Sequence, residues 1–167
     1  MGRPNKTKDS ASRPVLNAKG YRFAIIVARF NSEITESLCG AAQATLLEHG
    51  CGPDDIKIVQ VPGAWEIPVV ANALAGGHGD YDALIACACV IRGDTMHFEI
   101  VANEASRGIM TVSTSLEIPI GNAILACENM EQAKVRSGSG EDNKGREAAL
   151  AAIEMAMILD ELDEEWE

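Results

Sequence analysis

Residues 83–98 read ALIACACVIRGDTMHF, and the change of character within them decides the fold. Ala83 to Ile91 is a continuous apolar run, too short for a free-standing helix and without polar alternation, which is the pattern of a strand buried on both faces. Gly93 interrupts it, and helical spacing follows from Phe98 to Arg107, before Gly108. A buried strand that leads through a glycine loop into a helix is part of a βαβ unit, whose strands pair in parallel.

The same alternation extends on either side. Upstream, Arg22 to Ala28 reads as a buried strand, followed by a helix from Glu33 to His49 that closes at Gly50, with Asn31 or Ser32 able to cap its start. Ile56 to Val61 reads as the next strand and ends at Pro62-Gly63. A helix from Glu66 to Ala75 places Ile67, Val70, Ala71 and Leu74 on one face and stops at Gly76-Gly77. Downstream, Ile118 to Cys127 is a fourth strand and Glu131 to Arg136 a short helix before a glycine-rich loop. Asn143 to Leu159 is a last helix, and a further short strand near Ile109 to Ser113 also fits. No internal repeat is present. The expected fold is α/β, a three-layer αβα sandwich with a parallel sheet of about four strands. In such folds ligands gather at the carboxyl ends of the strands, which aligns Phe30-Asn31, Gly63 to Glu66 and Gly93 to His97 along one edge.

A chain of 167 residues that is 47% apolar can fill one core and has no room for a second domain. Its net charge of -11 argues against nucleic acid or an anionic membrane as partner, because both repel an acidic surface. No stretch approaches the roughly 18 apolar residues of a membrane helix, and the N-terminus lacks a hydrophobic signal core. The five cysteines are odd in number, and three of them lie inside apolar runs. They read as buried, reduced thiols of a cytoplasmic protein. Residues 1–19 are polar, mildly basic and contain Pro4 and Pro14, so a disordered lead is expected there. The domain itself then covers residues 20–160, and residues 161–167 close the acidic run Asp160 to Glu167 as a solvated tail. The last helix is apolar almost all round, so its second face is expected to pack on another subunit, the alternative being Ala-rich packing within one chain.

Several residues could carry chemistry. His97 follows a strand and a glycine at the start of a helix, where backbone N–H groups and a partial positive charge suit a phosphate and a histidine can shuttle protons near neutral pH, although the position alone equally fits a structural histidine. Thr95 adds a hydroxyl, and Asp94 can cap the helix and turn its charge away. Phe30 and Trp65 fall at strand ends in a chain with only seven aromatics, which offers a flat face for a heteroaromatic ring, with Glu66 able to accept hydrogen bonds from hydroxyls. The same two residues could equally plug the edge of the core. Arg136, Lys144 and Arg146 bracket the loop Ser137 to Asn143. That loop departs from a nucleotide-binding P-loop, since arginine stands for lysine and Glu147 for the hydroxyl residue, but its cations can grip a smaller phosphate. Cys87-Ala88-Cys89 alternates inside a buried strand and reads as core packing, not as a metal site.

These motifs in order make the chain resemble the 6,7-dimethyl-8-ribityllumazine synthase family from about Tyr21 to Leu159. The markers are Ala28-Arg29-Phe30-Asn31, Val61 to Pro68, Val90 to Phe98, Asn103 to Gly108, Glu128-Asn129 with Glu131-Gln132-Ala133, and Asn143-Lys144-Gly145. The resemblance implies a flavodoxin-like fold assembled as a pentamer. It also implies condensation of 5-amino-6-(D-ribitylamino)uracil with 3,4-dihydroxy-2-butanone 4-phosphate to 6,7-dimethyl-8-ribityllumazine, phosphate and water. That reaction is the penultimate step of riboflavin biosynthesis and uses no metal or organic cofactor. By resemblance Phe30 stacks on the pyrimidine, Asn31 lies beside it, and Ala64, Trp65 and Glu66 hold the ribityl chain. Cys89, Val90 and Ile91 line the ring pocket, and Asp94 and Thr95 contact the phosphate. His97 transfers protons, while Arg136, with Lys144 close by, arrives from the neighbouring subunit to bind phosphate. Asn122 stands where several relatives carry an aromatic residue over the ring. Pentamers of the family sometimes build decamers or sixty-subunit shells, and riboflavin synthase is an implied partner.

Two other readings share the fold class. A flavodoxin-like electron carrier needs a hydroxyl- and glycine-rich phosphate loop after its first strand, and Ala28-Arg29-Phe30-Asn31-Ser32 is not one. A shell protein that keeps the fold without catalysis is distinguished only by assay.

Overall fold

The computed structural model describes residues 13–166. Each apolar run finds its cover in a single parallel sheet: β1 (Phe23–Ala28), β2 (Ile56–Val61), β3 (Ala83–Ile91) and β4 (Ile120–Cys127). Their spatial order is β2-β1-β3-β4. The central strands β1 and β3 pair from Phe23 opposite Ala83 to Val27 opposite Cys87, and nearly all their residues are buried, as continuous apolar runs require.

Two separate cores follow, one on each face. On one side α1 (Ser32–Glu48), α4 (Met130–Ser137) and α5 (Lys144–Glu164) cover Phe23, Ile25, Ile85, Cys87 and Leu125. On the other side α2 (Ile67–Ala75) and α3 (His97–Leu116) cover Ala24, Ile26, Leu84 and Ala86. The chain leaving β1 therefore turns to one face and the chain leaving β3 to the other. A crevice must open where these two neighbouring strands part, which is the switch point at which open α/β sheets bind ligands.

The three-layer parallel sandwich expected from sequence is thus present, with three differences of detail. The short strand envisaged at Ile109 to Ser113 is helix, because α3 continues through Gly108 to Leu116. Gly108 is a packing residue there: a Cβ at that position would lie 2.5 Å from Pro68 Cγ, so its absence lets α3 press against α2. Ala102, Ala105, Ile109 and Val112 then recur on the buried face of one uninterrupted helix. The second difference is in β4, which begins at Ile120 and alternates buried with exposed positions, because it is an edge strand with only one face fully covered.

The third concerns the ends. Ala18 is fully buried and donates its N–H to His49 O at 2.8 Å, and Leu16 packs against the core, so the chain is docked before residue 20. Of the lead expected over residues 1–19, residues 1–12 lie outside the described residues. At the other end α5 runs on to Glu164, and Asp160 accepts a 3.0 Å hydrogen bond from Tyr21 Oη. Among the described residues no helix is long and apolar enough to cross a membrane.

Candidate active site

The crevice between the ends of β1 and β3 is a cleft of about 830 Å³. Three loops build it. After β1 come Ala28 and Phe30; after β2 come Pro62, Gly63 and the short helical turn Ala64–Glu66; after β3 come Gly93, Thr95 and the first residues of α3. Cys89, Val90 and Ile91 at the end of β3 form its inner wall, and His97, Phe98, Ile100 and Val101 bring the first turn of α3 to its side.

Nine of the residues singled out from sequence line this cleft together: Phe30, Ala64, Trp65, Glu66, Cys89, Val90, Ile91, Thr95 and His97. Phe30 is 71% exposed and Trp65 55%, so neither plugs the core, and both leave an aromatic face open at the rim. Burial pushes the Cys89 thiol up to about 11, which keeps it a neutral wall group and not a nucleophile.

Asn31 takes a left-handed backbone conformation (φ 58°) where the chain leaves the sheet for α1. Its side chain does not cap the helix. Instead Nδ2 donates to Cys89 O at 2.8 Å, tying the loop after β1 to the end of β3 across the crevice. Asp94 is exposed next to the cleft and does not cap α3; Thr95 Oγ1 accepts from His97 N–H at 3.3 Å in its place. No side chain caps the start of α3, so its first N–H groups stay available to an anion at the edge of the cleft.

Arg136, Lys144 and Asn122 do not line the cleft. Arg136 Nη1 donates to Gln132 O at 3.0 Å on its own helix, and Lys144 Nζ pairs with Glu147 at 2.6 Å on the next turn of α5. Asn122 is exposed on β4 and accepts the N–H of Ile124 at 2.9 Å. Buried Asn143 joins the helix ends that carry these two cationic residues. Its Nδ2 donates to Ser137 O and Gly138 O, and its Oδ1 accepts from Gly145 and Arg146 N–H, so it closes the end of α4 and caps the start of α5 at once. Among the described residues, no lysine or arginine lines the cleft.

Phe98, Ile100 and Val101 were not singled out in the sequence. The signal was available, since Ile100 and Val101 stand three and four residues after His97 and so share its helix face.

Comparison with known proteins adds to this geometry. A profile described as 6,7-dimethyl-8-ribityllumazine synthase matches residues 20–160. The 6,7-dimethyl-8-ribityllumazine synthase of Xylella fastidiosa is 45% identical over 147 residues, 88% of this chain and 95% of that protein. Those of Salinibacter ruber and Xanthomonas campestris pv. campestris are 48% identical over 144 residues and 46% identical over 139, covering 92% and 90% of their own lengths. With a profile that spans the whole sheet and relatives this similar along nearly their full length, the chain belongs to the 6,7-dimethyl-8-ribityllumazine synthase family.

Proposed function

We propose that the protein condenses 5-amino-6-(D-ribitylamino)uracil with 3,4-dihydroxy-2-butanone 4-phosphate, releasing 6,7-dimethyl-8-ribityllumazine, phosphate and water. The observation that carries this reading is a cleft that joins open aromatic faces, a carboxylate and a helix start bearing His97, in a chain of this family. In this reading Phe30 stacks on the pyrimidine, Cys89, Val90 and Ile91 wall the ring, and Ala64, Trp65 and Glu66 hold the ribityl chain. The phosphate rests at Asp94 and Thr95 on the start of α3. His97 relays the protons of imine formation and phosphate departure. Asn31 acts through the loop after β1, which it ties to β3.

A dianionic phosphate beside a wall without cations would be poorly held, so Arg136, with Lys144 nearby, comes from an adjacent subunit. The exposed apolar residues Met155, Ile158 and Leu162 of α5 support such an assembly. A pentamer is the unit this reading requires, with decamers or sixty-subunit shells as larger forms, and Asn122 then faces the ring from the neighbour in place of an aromatic. The reaction draws on no metal or organic cofactor, belongs to the cytoplasm, and hands its product to riboflavin synthase. The test is direct: mix protein with both substrates and follow lumazine absorbance together with phosphate release. A rate no greater than that of the spontaneous reaction would sink the enzyme reading.

A further inference from the structure

Arg92 stands between the last residue of β3 and the loop that carries Gly93 to His97, and it touches three elements at once. Its backbone N–H continues the sheet ladder to Cys127 O at 2.9 Å. Its Nε donates to Glu128 Oε2 at 2.7 Å, beside Asn129, which caps α4. Its Nη1 donates to Glu99 Oε1 at 3.0 Å in the first turn of α3, and its guanidinium lies 4.7 Å from the ring centre of Phe98. Both carboxylates raise its pKa, that of Glu128 first.

The loop it precedes has little else to hold it. Residues Arg92 to His97 are all exposed, and the side-chain hydrogen bond within that stretch is the 3.3 Å contact from His97 N–H to Thr95. A single exposed ion pair contributes almost nothing to stability. One planar guanidinium that engages two carboxylates on different elements and stacks on an aromatic ring is different, because its fork fixes direction as well as distance.

We propose that Arg92 is a positioning residue that straps the start of α3 to the ends of β3 and β4, and so sets where the phosphate cradle and His97 stand relative to the cleft. The proposal rests on the catalytic reading above. Arg92 does not line the cleft, so its effect passes through the helix start that does.

The variants are Arg92→Met, which keeps the stem and removes the fork, Arg92→Lys, and Glu128→Gln. In Arg92→Met, KM for the butanone phosphate should rise and kcat fall by about tenfold each, as expected for a displacement near 1 Å at a phosphate and proton-transfer site, while KM for the pyrimidine stays within about twofold of wild type. Arg92→Lys should recover only part of this, because an ammonium cannot bridge both carboxylates and stack. Combining Glu128→Gln with Arg92→Met should add little to Arg92→Met alone.

Amide exchange supplies a readout independent of activity. The peptide over residues 93–101 should exchange about tenfold faster in Arg92→Met, with β1 and β3 unchanged. If wild-type protein shows no turnover, the catalytic reading fails, and this exchange result still decides whether Arg92 holds the helix start. Should Arg92→Met not fold, Arg92→Lys and Glu128→Gln carry the same comparison. Equal KM changes for both substrates, or unchanged exchange over residues 93–101, would overturn the proposal.

Discussion

Single side chains divide into those whose position was visible in the sequence and those whose contacts depend on a partner far away in the chain. His97 belongs to the first group, since a histidine just after a strand-glycine loop can only fall at the helix start. Its replacement by alanine should lower kcat by about 10² to 10⁴-fold without unfolding the protein, read as turnover beside a thermal melt. Retained kcat in a folded variant would remove the proton-relay role. Asn31 belongs to the second group. It reads as a cap from its place before a helix, yet its amide spans to Cys89 O, 58 residues further on, and nothing local announces that choice. Thr35 is a liability of the same kind: fully buried in α1, its hydroxyl has no hydrogen-bond partner among the described residues, and its usual local acceptor, Asn31 O, already takes the N–H groups of Ile34 and Thr35. Thr35→Val keeps the shape and removes the unmet donor, so it should stabilise by about 1 kcal/mol, seen as a higher urea midpoint at unchanged slope.

At the scale of elements, strands and most helices were legible because continuous apolar runs and helical periods are set by local residues. Glycine was the ambiguous letter. Gly50 and Gly77 do sit at positive φ after helices, as stop signals should. Gly108, Gly121 and Gly145 serve instead as points of close approach, to Pro68, Ala148 O and Leu38 O, and a sequence has no means of separating the two uses. A pair of variants tests this. A Cβ at Gly145 would stand 2.0 Å from Leu38 O, a backbone atom that cannot move without shifting α1, so Gly145→Ala should destabilise by about 1–3 kcal/mol. Gly40, inside α1 with open space around its Cβ, should gain about 0.5–1 kcal/mol from the same change. Chemical denaturation of both reads the result, and equal signs would refute the packing account.

For the whole molecule, the five thiols share one electrostatic condition. Burial raises the pKa of Cys51 and Cys89 from 9.0 to about 11, and burial with the Asp160 hydrogen bond raises Tyr21 from 10.0 to about 12. Each group releases its proton more readily when unfolded, so the stability it contributes is complete below about pH 9 and is lost as pH climbs through 11 to 12. The urea midpoint should therefore fall between about pH 8 and about pH 10.5, and a flat profile would contradict it. The division of the site is a second property at this scale. If Arg136 enters from a neighbour, His97→Ala and Arg136→Ala chains refolded together should recover about a quarter of wild-type sites, whereas a site built within one chain recovers none. The fold of one chain was readable from its sequence; that none of the described residues lining the cleft is a lysine or arginine was not, because it depends on where β4 and α4 pack.

The sheet order has a consequence for how the protein is made. Every strand pair is parallel and joined through a helix, so no hairpin can form early, and pairing must wait for residues far along the chain. All the residues that wall the cleft lie between Ala28 and Val101, yet the helix that covers β3 and β4 on the opposite face begins only at Lys144. A nascent chain would thus carry a complete set of cleft loops on a sheet whose opposite face α1 and α4 cover only in part, and acquire lasting structure only when α5 leaves the ribosome, making its emergence the step at which folding and aggregation compete.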